Sequence, residues 1–194
     1  MNSALILIDI QNIYFTEGGY KLSNPEKAAA NANTLLQRFR QKKLPVIHVK
    51  HLFDGNGYEE AVDYLRDFHP SVPPLSDEPV VEKHYPSSFL GTKLQEILQP
   101  RGIKELVIAG MMSHMCIDTT VRAAQDYGYK VTVVEDACAT KPLQYKDEIL
   151  AAETVHKVIM ASLQPVFAKV ITTDALIETD AIEAMDSRIT TESR

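Results

Sequence analysis

The sequence predicts a three-layer α/β/α fold of the Rossmann-like type, with a six-stranded parallel sheet between two layers of helices. Short β-branched runs alternate with longer segments of helical period, which is the pattern of parallel strands joined by crossover helices. The first run is apolar almost throughout, as expected for a strand buried on both faces. The chain has 194 residues, 45% of them hydrophobic and 24% charged, which suffices for one domain with a complete core.

The first half of the chain provides three predicted strands and two helices. The apolar run 4–10 is the first strand, since it lacks the alternation of a strand with one solvated face. Residues 25–42 carry apolar side chains at helical spacing, and Pro45 then introduces a second strand at 46–49. The remaining elements of this half are a brief third strand at 79–82 and a helix at 92–98.

Residues 50–77 interrupt the alternation of strands and helices. The segment is rich in aromatic, acidic, glycine and proline residues, among them Gly55 and Gly57. It is too long for a plain connector in a compact domain, and segments of this kind are commonly functional loops or subunit contacts. We therefore predict an excursion from the sheet at 50–77 and treat it as a candidate interface.

The second half of the chain completes the sheet. The predicted elements are a fourth strand at 106–110, a helix at 113–127, a fifth strand at 130–135, a helix at 145–163 and a sixth strand at 166–172. We place the domain at residues 1–179 and a polar tail at 180–194, which is expected to be frayed or docked on a neighbouring subunit.

Composition excludes several classes of partner. The formal net charge is −6, with 20 Lys and Arg against 26 Asp and Glu and no long basic run, which argues against nucleic acid and anionic membranes. Asp9 ends the first apolar run far short of a signal or membrane-spanning segment, so we predict a cytoplasmic protein. Its two cysteines are then expected to be free thiols. No glycine-rich phosphate motif follows the first strand, and no cofactor is predicted.

Cys116 is the residue with the clearest chemical potential. It follows the fourth strand and Gly110, and it opens the helical stretch that comes next. A strand-to-helix junction leaves free backbone N–H groups, and the helix dipole there favours an anion. A thiol at this position is expected to have a lowered pKa and to act as a nucleophile if a base and a positive charge are near.

Two further strand ends carry chemically active residues. Asp9 lies at the end of the first strand, and Lys83 directly follows the third. Reactive groups of an open parallel sheet collect beyond the carboxyl ends of its strands, and a carboxylate after an apolar strand needs a partner because burying a lone charge is costly. We therefore expect Asp9, Lys83 and Cys116 to meet.

Three sequence blocks together resemble the isochorismatase-like cysteine hydrolases, from about residue 4 to about residue 173. The blocks are Asp9-Ile10-Gln11-Asn12, Glu82-Lys83 followed by Tyr85, Ser87, Ser88 and Phe89, and Gly110-Met111-Met112-Ser113-His114-Met115-Cys116. The resemblance implies that Asp9 is the general base, Lys83 the cationic partner and Cys116 the nucleophile. It also implies a cis peptide between Met111 and Met112, with the N–H groups of Met112 and Cys116 turned toward an oxyanion hole.

The resemblance also guides the prediction of substrate, metal and assembly. The activity it favours is hydrolysis of a C–N bond in a small amide or carbamoyl compound through a covalent Cys116 intermediate, by a homodimer or homotetramer. Candidate substrate-binding residues are Gln11, Phe15, His51, Tyr85, Phe89 and Met112. Nicotinamidases of this family commonly have an acidic residue and phenylalanine after Asp-x-Gln-Asn, whereas this chain has Ile13-Tyr14-Phe15, which weakens nicotinamide as the substrate.

No metal site is predicted. Nicotinamidases of this family bind a metal through an Asp-x-His pair and a later histidine, and this spacing is absent here. His48 and His51, considered with Asp54, lie three residues apart near a strand end, so the two rings are expected on opposite faces of the chain.

Each assignment has a structural alternative. Asp9 could form a cap or turn after its strand, and Lys83 could be a solvated lysine beside Glu82. Cys138, on the predicted loop after the fifth strand, and His156 are expected to be structural. For His114, a pocket wall, a subunit contact and plain exposure all remain open.

Two other functions remain open at this stage. One is a vinyl-ether hydrolase acting on isochorismate, which is less favoured because true isochorismatases often lack the cysteine. The other is a non-catalytic binding or assembly protein with the same fold.

Overall fold

The structure is a computed structural model, and it describes residues 2–16, 20–53 and 63–178. Its centre is a six-stranded parallel sheet with the order β3-β2-β1-β4-β5-β8. The strands are β1 (Ser3–Ile8), β2 (Val46–His51), β3 (Val80–Lys83), β4 (Glu105–Met111), β5 (Lys130–Ala139) and β8 (Lys169–Ile171). The three-layer class predicted from the sequence is confirmed.

Helices cover both faces of the sheet. They are α1 (Pro25–Gln41), α2 (Asp63–Arg66), α3 (Leu94–Leu98), α4 (Asp118–Asp126), α5 (Ala152–Leu163) and α6 (Thr173–Glu178). Short 3₁₀ turns lie at Asn12–Tyr14 and Gln99–Arg101, and a π-helix at Ser113–Ile117 leads into α4. Among the residues that the structure describes, no helix combines the length and apolarity needed to cross a membrane.

The hydrophobic core is divided by the sheet into two clusters. On one face, Leu5 and Leu7 of β1 pack with the apolar side of α1. On the other, Ile6 and Ile8 pack with residues of α3, α4 and α5. Successive side chains of a strand point to opposite faces, so a strand covered on both sides must be apolar at every position. This explains why β1 is a continuous apolar run.

The predicted helix at 145–163 is wrong in its first third. Residues 143–150 form an antiparallel hairpin of β6 (Leu143–Tyr145) and β7 (Glu148–Leu150), and α5 begins only at Ala152. Lys146 adopts a positive φ of 53° in the turn between the strands, a conformation that a helix does not contain. Helix α6 was not predicted.

The fifth strand is also longer than predicted. After an irregularity in its pairing with β4, β5 pairs a second time, with Cys138 opposite Gly110 and Ala139 opposite Met111. Cys138 therefore lies within β5 and not on a loop after it.

Several other boundaries shift by one to three residues. Strand β1 ends at Ile8 because Asp9 turns the chain with a φ of 53°, and Lys83 is the last residue of β3 instead of the first residue after it. Strand β2 continues to His51, which shortens the predicted excursion at 50–77, and α2 lies within that excursion. Gly55, Gly57 and Asp54, and the predicted tail 180–194, lie outside the described residues.

Candidate active site

Four neighbouring strands direct polar side chains to one edge of the sheet. Lys83 ends β3, His51 ends β2, Asp9 follows β1, and Cys116 lies in the π-helix that follows β4. Because these strands are adjacent in the order β3-β2-β1-β4, their carboxyl ends meet at one place, as expected for a doubly wound sheet. Asp9, Lys83 and Cys116 therefore lie close together in the structure, as the sequence predicted.

The Lys83 ammonium lies at the centre of this cluster. Its Nζ is 2.7 Å from Oδ2 of Asp9 and 3.1 Å from Sγ of Cys116. It also lies 2.8 Å from Nδ1 of His51 and 3.2 Å from the carbonyl oxygen of Tyr85. The side chains of Asp9, Lys83 and Cys116 are all buried, with exposed fractions of 0%, 1% and 4%. Lys83 is therefore not a solvated lysine.

Asp9 is held by its backbone and balanced by a buried cation. Its N–H donates to the carbonyl of Val49, and its own carbonyl accepts from the N–H of Gln11. Neither carboxylate oxygen has a hydrogen-bond partner of good geometry among the described residues, although Oδ2 is in ion-pair contact with Nζ of Lys83. Burial raises the pKa of Asp9, and the charge of Lys83 opposes that rise. Asp9 thus turns the chain after β1 and also holds a desolvated carboxylate in ionic contact with Lys83.

The thiol of Cys116 differs from the sequence-based expectation. Burial raises its pKa, and the negative charge of Asp9 raises it further, while the charge of Lys83 acts in the opposite direction. The prediction that a helix N-terminus lowers the pKa of this thiol is wrong, because Cys116 is the fourth residue of the π-helix and is almost fully desolvated. The thiol of the resting protein therefore keeps its proton unless a neighbouring base removes it.

Gln11 is hydrogen-bonded entirely to backbone groups. Its Oε1 accepts from the N–H of His51 at 2.8 Å, while its Nε2 donates to the carbonyls of His51 and Arg66 at 3.1 and 2.6 Å. The side chain is fully buried. The amide thus fastens the end of β2 to the turn that follows β1.

The other predicted pocket residues lie in different surroundings. Phe15 stacks on His69 with ring centroids 3.9 Å apart. The side chain of Tyr85 is 55% exposed, and its carbonyl is the group that contacts Lys83. Phe89 is buried against Tyr127 and Tyr129 in the core.

The backbone before Cys116 has the form that the family resemblance implies. The peptide bond between Met111 and Met112 is cis. Met112 is buried and immediately precedes the π-helix.

The contact between His51 and Lys83 was missed by sequence reasoning, which placed His51 only on the pocket wall. The signal for it is the parallel register of β2 and β3, which pairs His51 with Lys83 at the ends of the two strands. Predicting β2 to end at residue 49 concealed this pairing.

Three other histidines have hydrogen-bond partners outside this cluster. Nε2 of His48 is 2.9 Å from Glu78, on the other face of β2 from the site, as the spacing predicted. His114 is half-buried, with Nδ1 2.5 Å from Oγ1 of Thr140, and burial lowers its pKa. Nδ1 of His156 is 2.8 Å from Oγ of Ser113, which is compatible with a structural role.

One group of side chains in the described part of the chain has the composition of a metal site. Ligand atoms of Asp9, His51 and Cys116 lie within 4.8 Å of one another. The ammonium of Lys83 contacts all three residues. A cation supplied by the protein itself therefore lies between the potential ligands.

Comparison with known proteins shows the family and supports the fold. The family model described as the isochorismatase domain matches residues 3–175. The isochorismatase family protein YddQ of Bacillus subtilis is 51% identical over 184 residues, covering 92% of this chain and 100% of its own length. A secreted isochorismatase effector of Verticillium dahliae is 37% identical, covering 88% and 87% of the two chains. The crystal structure of an isochorismatase from Pseudomonas putida is 40% identical with a TM-score of 0.84, covering 90% and 89%.

More distant relatives include another hydrolase and two amidases. A streptothricin hydrolase of Streptomyces noursei is 30% identical over 71% of this chain and 49% of its own. A nicotinamidase of Arabidopsis thaliana is 27% identical, covering 71% and 73%. The structure of N-carbamoylsarcosine amidase from Thermoplasma acidophilum is 27% identical with a TM-score of 0.71, covering 90% and 98%.

Proposed function

The chain belongs to the isochorismatase family of hydrolases, which includes amidases, and we propose that it is a cysteine hydrolase that cleaves a C–N bond of a small amide or carbamoyl compound. The observation that carries the proposal is the buried contact of one ammonium with both an acid and a thiol, at 2.7 and 3.1 Å. Asp9 acts as general base, Lys83 as the cation that stabilises the anion of either group, and Cys116 as nucleophile.

The first step transfers the thiol proton of Cys116 to Asp9. The carboxylate is consumed as the thiolate forms, so the net charge of the buried site does not change. Lys83 is in contact with both groups and stabilises whichever is the anion. Burial raises the pKa of Asp9 and makes it a stronger base, and its protonation removes the negative charge that helps to raise the pKa of Cys116.

The second step forms the covalent intermediate. The thiolate attacks the substrate carbonyl, a C–S bond forms, and the π electrons of the carbonyl move to its oxygen. We assign the N–H groups of Met112 and Cys116 to that oxyanion, a contribution of roughly 3 kcal/mol per donor in comparable sites. Asp9 then returns its proton to the departing amine as the C–N bond breaks, leaving a thioester.

The final step releases the product. Asp9, again a carboxylate, removes a proton from a water molecule, which attacks the thioester. The C–S bond breaks, and the proton returns to the sulfur of Cys116. The sequence of steps requires no cofactor and consumes only the small-molecule substrate and water. The residues proposed to surround that substrate are Gln11, Phe15, His51, Tyr85, Phe89 and Met112.

A screen for ammonia release tests the proposal. Small primary amides and ureides are incubated with the wild type, with Cys116→Ser and with Cys138→Ser as the matched control. We expect ammonia from the wild type and from Cys138→Ser, and none above background from Cys116→Ser. Release that survives Cys116→Ser unchanged would contradict covalent catalysis by this thiol.

A second candidate is vinyl-ether hydrolysis, favoured by the 40% identical Pseudomonas putida protein described as an isochorismatase. This activity would need the acid but not the thiol. It therefore predicts that Cys116→Ala keeps most of the turnover of isochorismate while Asp9→Asn loses it. A non-catalytic binding protein instead predicts that iodoacetamide labels Cys116 as slowly as Cys138 near neutral pH.

Assembly and location stay predictions. We expect a homodimer or homotetramer, to be measured by light scattering of the eluting protein. A cytoplasmic location is expected from the sequence, although the Verticillium dahliae relative is described as secreted.

A further inference from the structure

We propose that His51 is a fourth member of this site, a positioning residue whose Nδ1 accepts a hydrogen bond from the Lys83 ammonium and thereby fixes its orientation toward Asp9 and Cys116. The inference rests on the proposed roles of those three residues. It gives His51 a function in addition to lining a substrate pocket.

The direction of the hydrogen bond follows from the chemistry of the ammonium. A lysine ammonium has three N–H donors and no acceptor. The carboxylate of Asp9, 2.7 Å away, balances its charge. The imidazole nitrogen at 2.8 Å can therefore only accept, so the ring of His51 is neutral and its proton is on Nε2.

The number of donors makes this acceptor important. Nζ of Lys83 has four close neighbours, namely Oδ2 of Asp9, Nδ1 of His51, Sγ of Cys116 and the carbonyl oxygen of Tyr85. Three of these contacts, those with His51, Cys116 and the Tyr85 carbonyl, have hydrogen-bond geometry and use all three hydrogens, whereas the contact with Asp9 is ionic. The hydrogen bond to His51 therefore helps to fix the rotation of the ammonium, and it leaves one hydrogen directed at the sulfur of Cys116, available to the thiolate when it forms.

The imidazole is itself held firmly. The backbone N–H and C=O of His51 are both bound by the side-chain amide of Gln11, and the ring packs on Phe53 with centroids 4.7 Å apart. The register of β2 and β3 places His51 beside Lys83. A group fixed by its own supporting contacts is suited to orient another. Gln11 therefore acts on the site through His51.

Site-resolved alkylation of the full-length chain tests the inference. We compare the rate constant of iodoacetamide at Cys116 in the wild type, His51→Leu, His51→Asn and Phe53→Leu, with mass spectrometry of the labelled peptides. Leucine removes the acceptor, asparagine replaces Nδ1 with an amide oxygen, and Phe53→Leu changes the packing of the ring while keeping its nitrogen. We expect a loss of at least about tenfold in His51→Leu and changes within about threefold in the other two.

The outcomes separate this inference from the proposed function. If Cys116 of the wild type labels no faster than Cys138, the catalytic assignment fails. If Cys116 is reactive and His51→Leu labels equally fast, or if His51→Asn is as slow as His51→Leu, only the role of His51 fails. Nitrogen NMR of the wild-type ring covers the case in which His51→Leu does not fold. We expect the proton on Nε2, and a ring with its proton on Nδ1 would overturn the inference.

Discussion

At the scale of single residues, the ionisation of Asp9 is expected to set the pH dependence of the reactivity of Cys116. As the proposed general base it must be ionised to accept the thiol proton, yet burial raises its pKa above the ordinary value of 3.8. The ionised fraction therefore falls as the pH drops through that raised value. We expect the reactivity of Cys116 to decline on the acidic side at a pH above the range of an exposed aspartate.

Replacing Asp9 with asparagine removes the base and keeps the shape. We expect the alkylation rate of Cys116 near neutral pH to fall by about a hundredfold or more, because the thiol then has no carboxylate to accept its proton. The acidic decline described above should disappear with it. The rate is measured across a pH series for both proteins, and an unchanged decline in Asp9→Asn would assign it to another group.

Lys83 also determines whether this cluster can bind a metal. Asp9, His51 and Cys116 offer an oxygen, a nitrogen and a sulfur within 4.8 Å of one another, the ligand types of zinc and cobalt sites. The ammonium contacts each of these residues. In the wild type, the positive charge of Lys83 is therefore expected to repel a metal ion.

Lys83→Ala is therefore expected to create a cobalt site. We predict a sulfur-to-cobalt charge-transfer absorption in Lys83→Ala titrated with Co²⁺, and none in the wild type. The double variant with Cys116→Ser is the control and should lose the absorption. A wild type that gives the same absorption would show that the ammonium does not exclude the metal.

At the scale of elements, Gly110 permits the close approach of β1 and β4 that brings Asp9 and Cys116 together. Its φ is +136°, and a Cβ at this position would lie 1.9 Å from the carbonyl oxygen of Ile8. Only glycine fits because the obstructing atom belongs to the backbone of the neighbouring strand.

Gly110→Ala should lower the free energy of unfolding by about 2–4 kcal/mol, through backbone strain and displacement of β1. Gly128→Ala is the matched control, since Gly128 also has a positive φ, of +82°, but no atom within 4 Å of the added Cβ. Its expected cost is about 1–2 kcal/mol. Urea unfolding measures both, and equal losses would show that the contact with Ile8 is unimportant.

The contacts of Glu78 form a second connection between elements, and their contribution to stability is expected to depend on pH. Burial alone would raise the pKa of Glu78, but hydrogen bonds from Arg40, from the N–H of Leu75 and from His48 outweigh it and lower the pKa to about 2. A carboxylate with a lowered pKa stabilises the fold above its unfolded pKa and loses this effect as the pH falls toward the folded value. The contribution of Glu78 should therefore vanish between about pH 4.5 and 2.

Glu78→Gln is expected to reduce the free energy of unfolding by about 1–3 kcal/mol at neutral pH and to match the wild type near the acidic end of this range. Urea unfolding at a series of pH values measures the difference. Glu153→Gln is the control, because Glu153 pairs with Lys157 on the exposed surface of α5, where such pairs contribute little. A constant difference at all pH values would argue against a role for the Glu78 charge.

The elements also show what could be predicted from the sequence. The apolar run of β1 and the acid that ends it were sufficient to locate the strand and the reactive edge of the sheet. The hairpin 143–150 was missed because Ile149 continues the helical spacing of α5, although in the structure it is 74% exposed. Spacing alone does not reveal which face is covered.

The proximity of the candidate site residues was predicted from the sequence, but the contacts among them were not. Asp9, Lys83 and Cys116 follow strands whose ends must lie together, so their meeting required only the fold class. The contact of His51 with Lys83 depends on the register and length of β2, which are set by the pairing of strands. The raised thiol pKa of Cys116 depends on burial by residues distant in sequence.

At the scale of the whole molecule, Cys138 is placed to report on the unfolding of the sheet. It is 7% exposed and lies in β5, opposite Gly110 of β4. Burial raises the pKa of its thiol to about 12. Although Cys138 borders a cavity lined by Lys27 and His156, we expect its alkylation to require that β5 separate from its neighbours.

In the Cys116→Ser variant, labelling of Cys138 should be slower than in the unfolded chain by a factor on the order of 10⁴ or more, which is the equilibrium constant of folding for an ordinary domain. The free energy calculated from labelling should equal that from urea unfolding followed by circular dichroism. Adding Gly110→Ala should accelerate labelling by the factor that corresponds to its loss of stability. Labelling that is fast and independent of urea would instead mean that the end of β5 opens locally, and that the strand carrying Cys138 does not share the stability of the sheet.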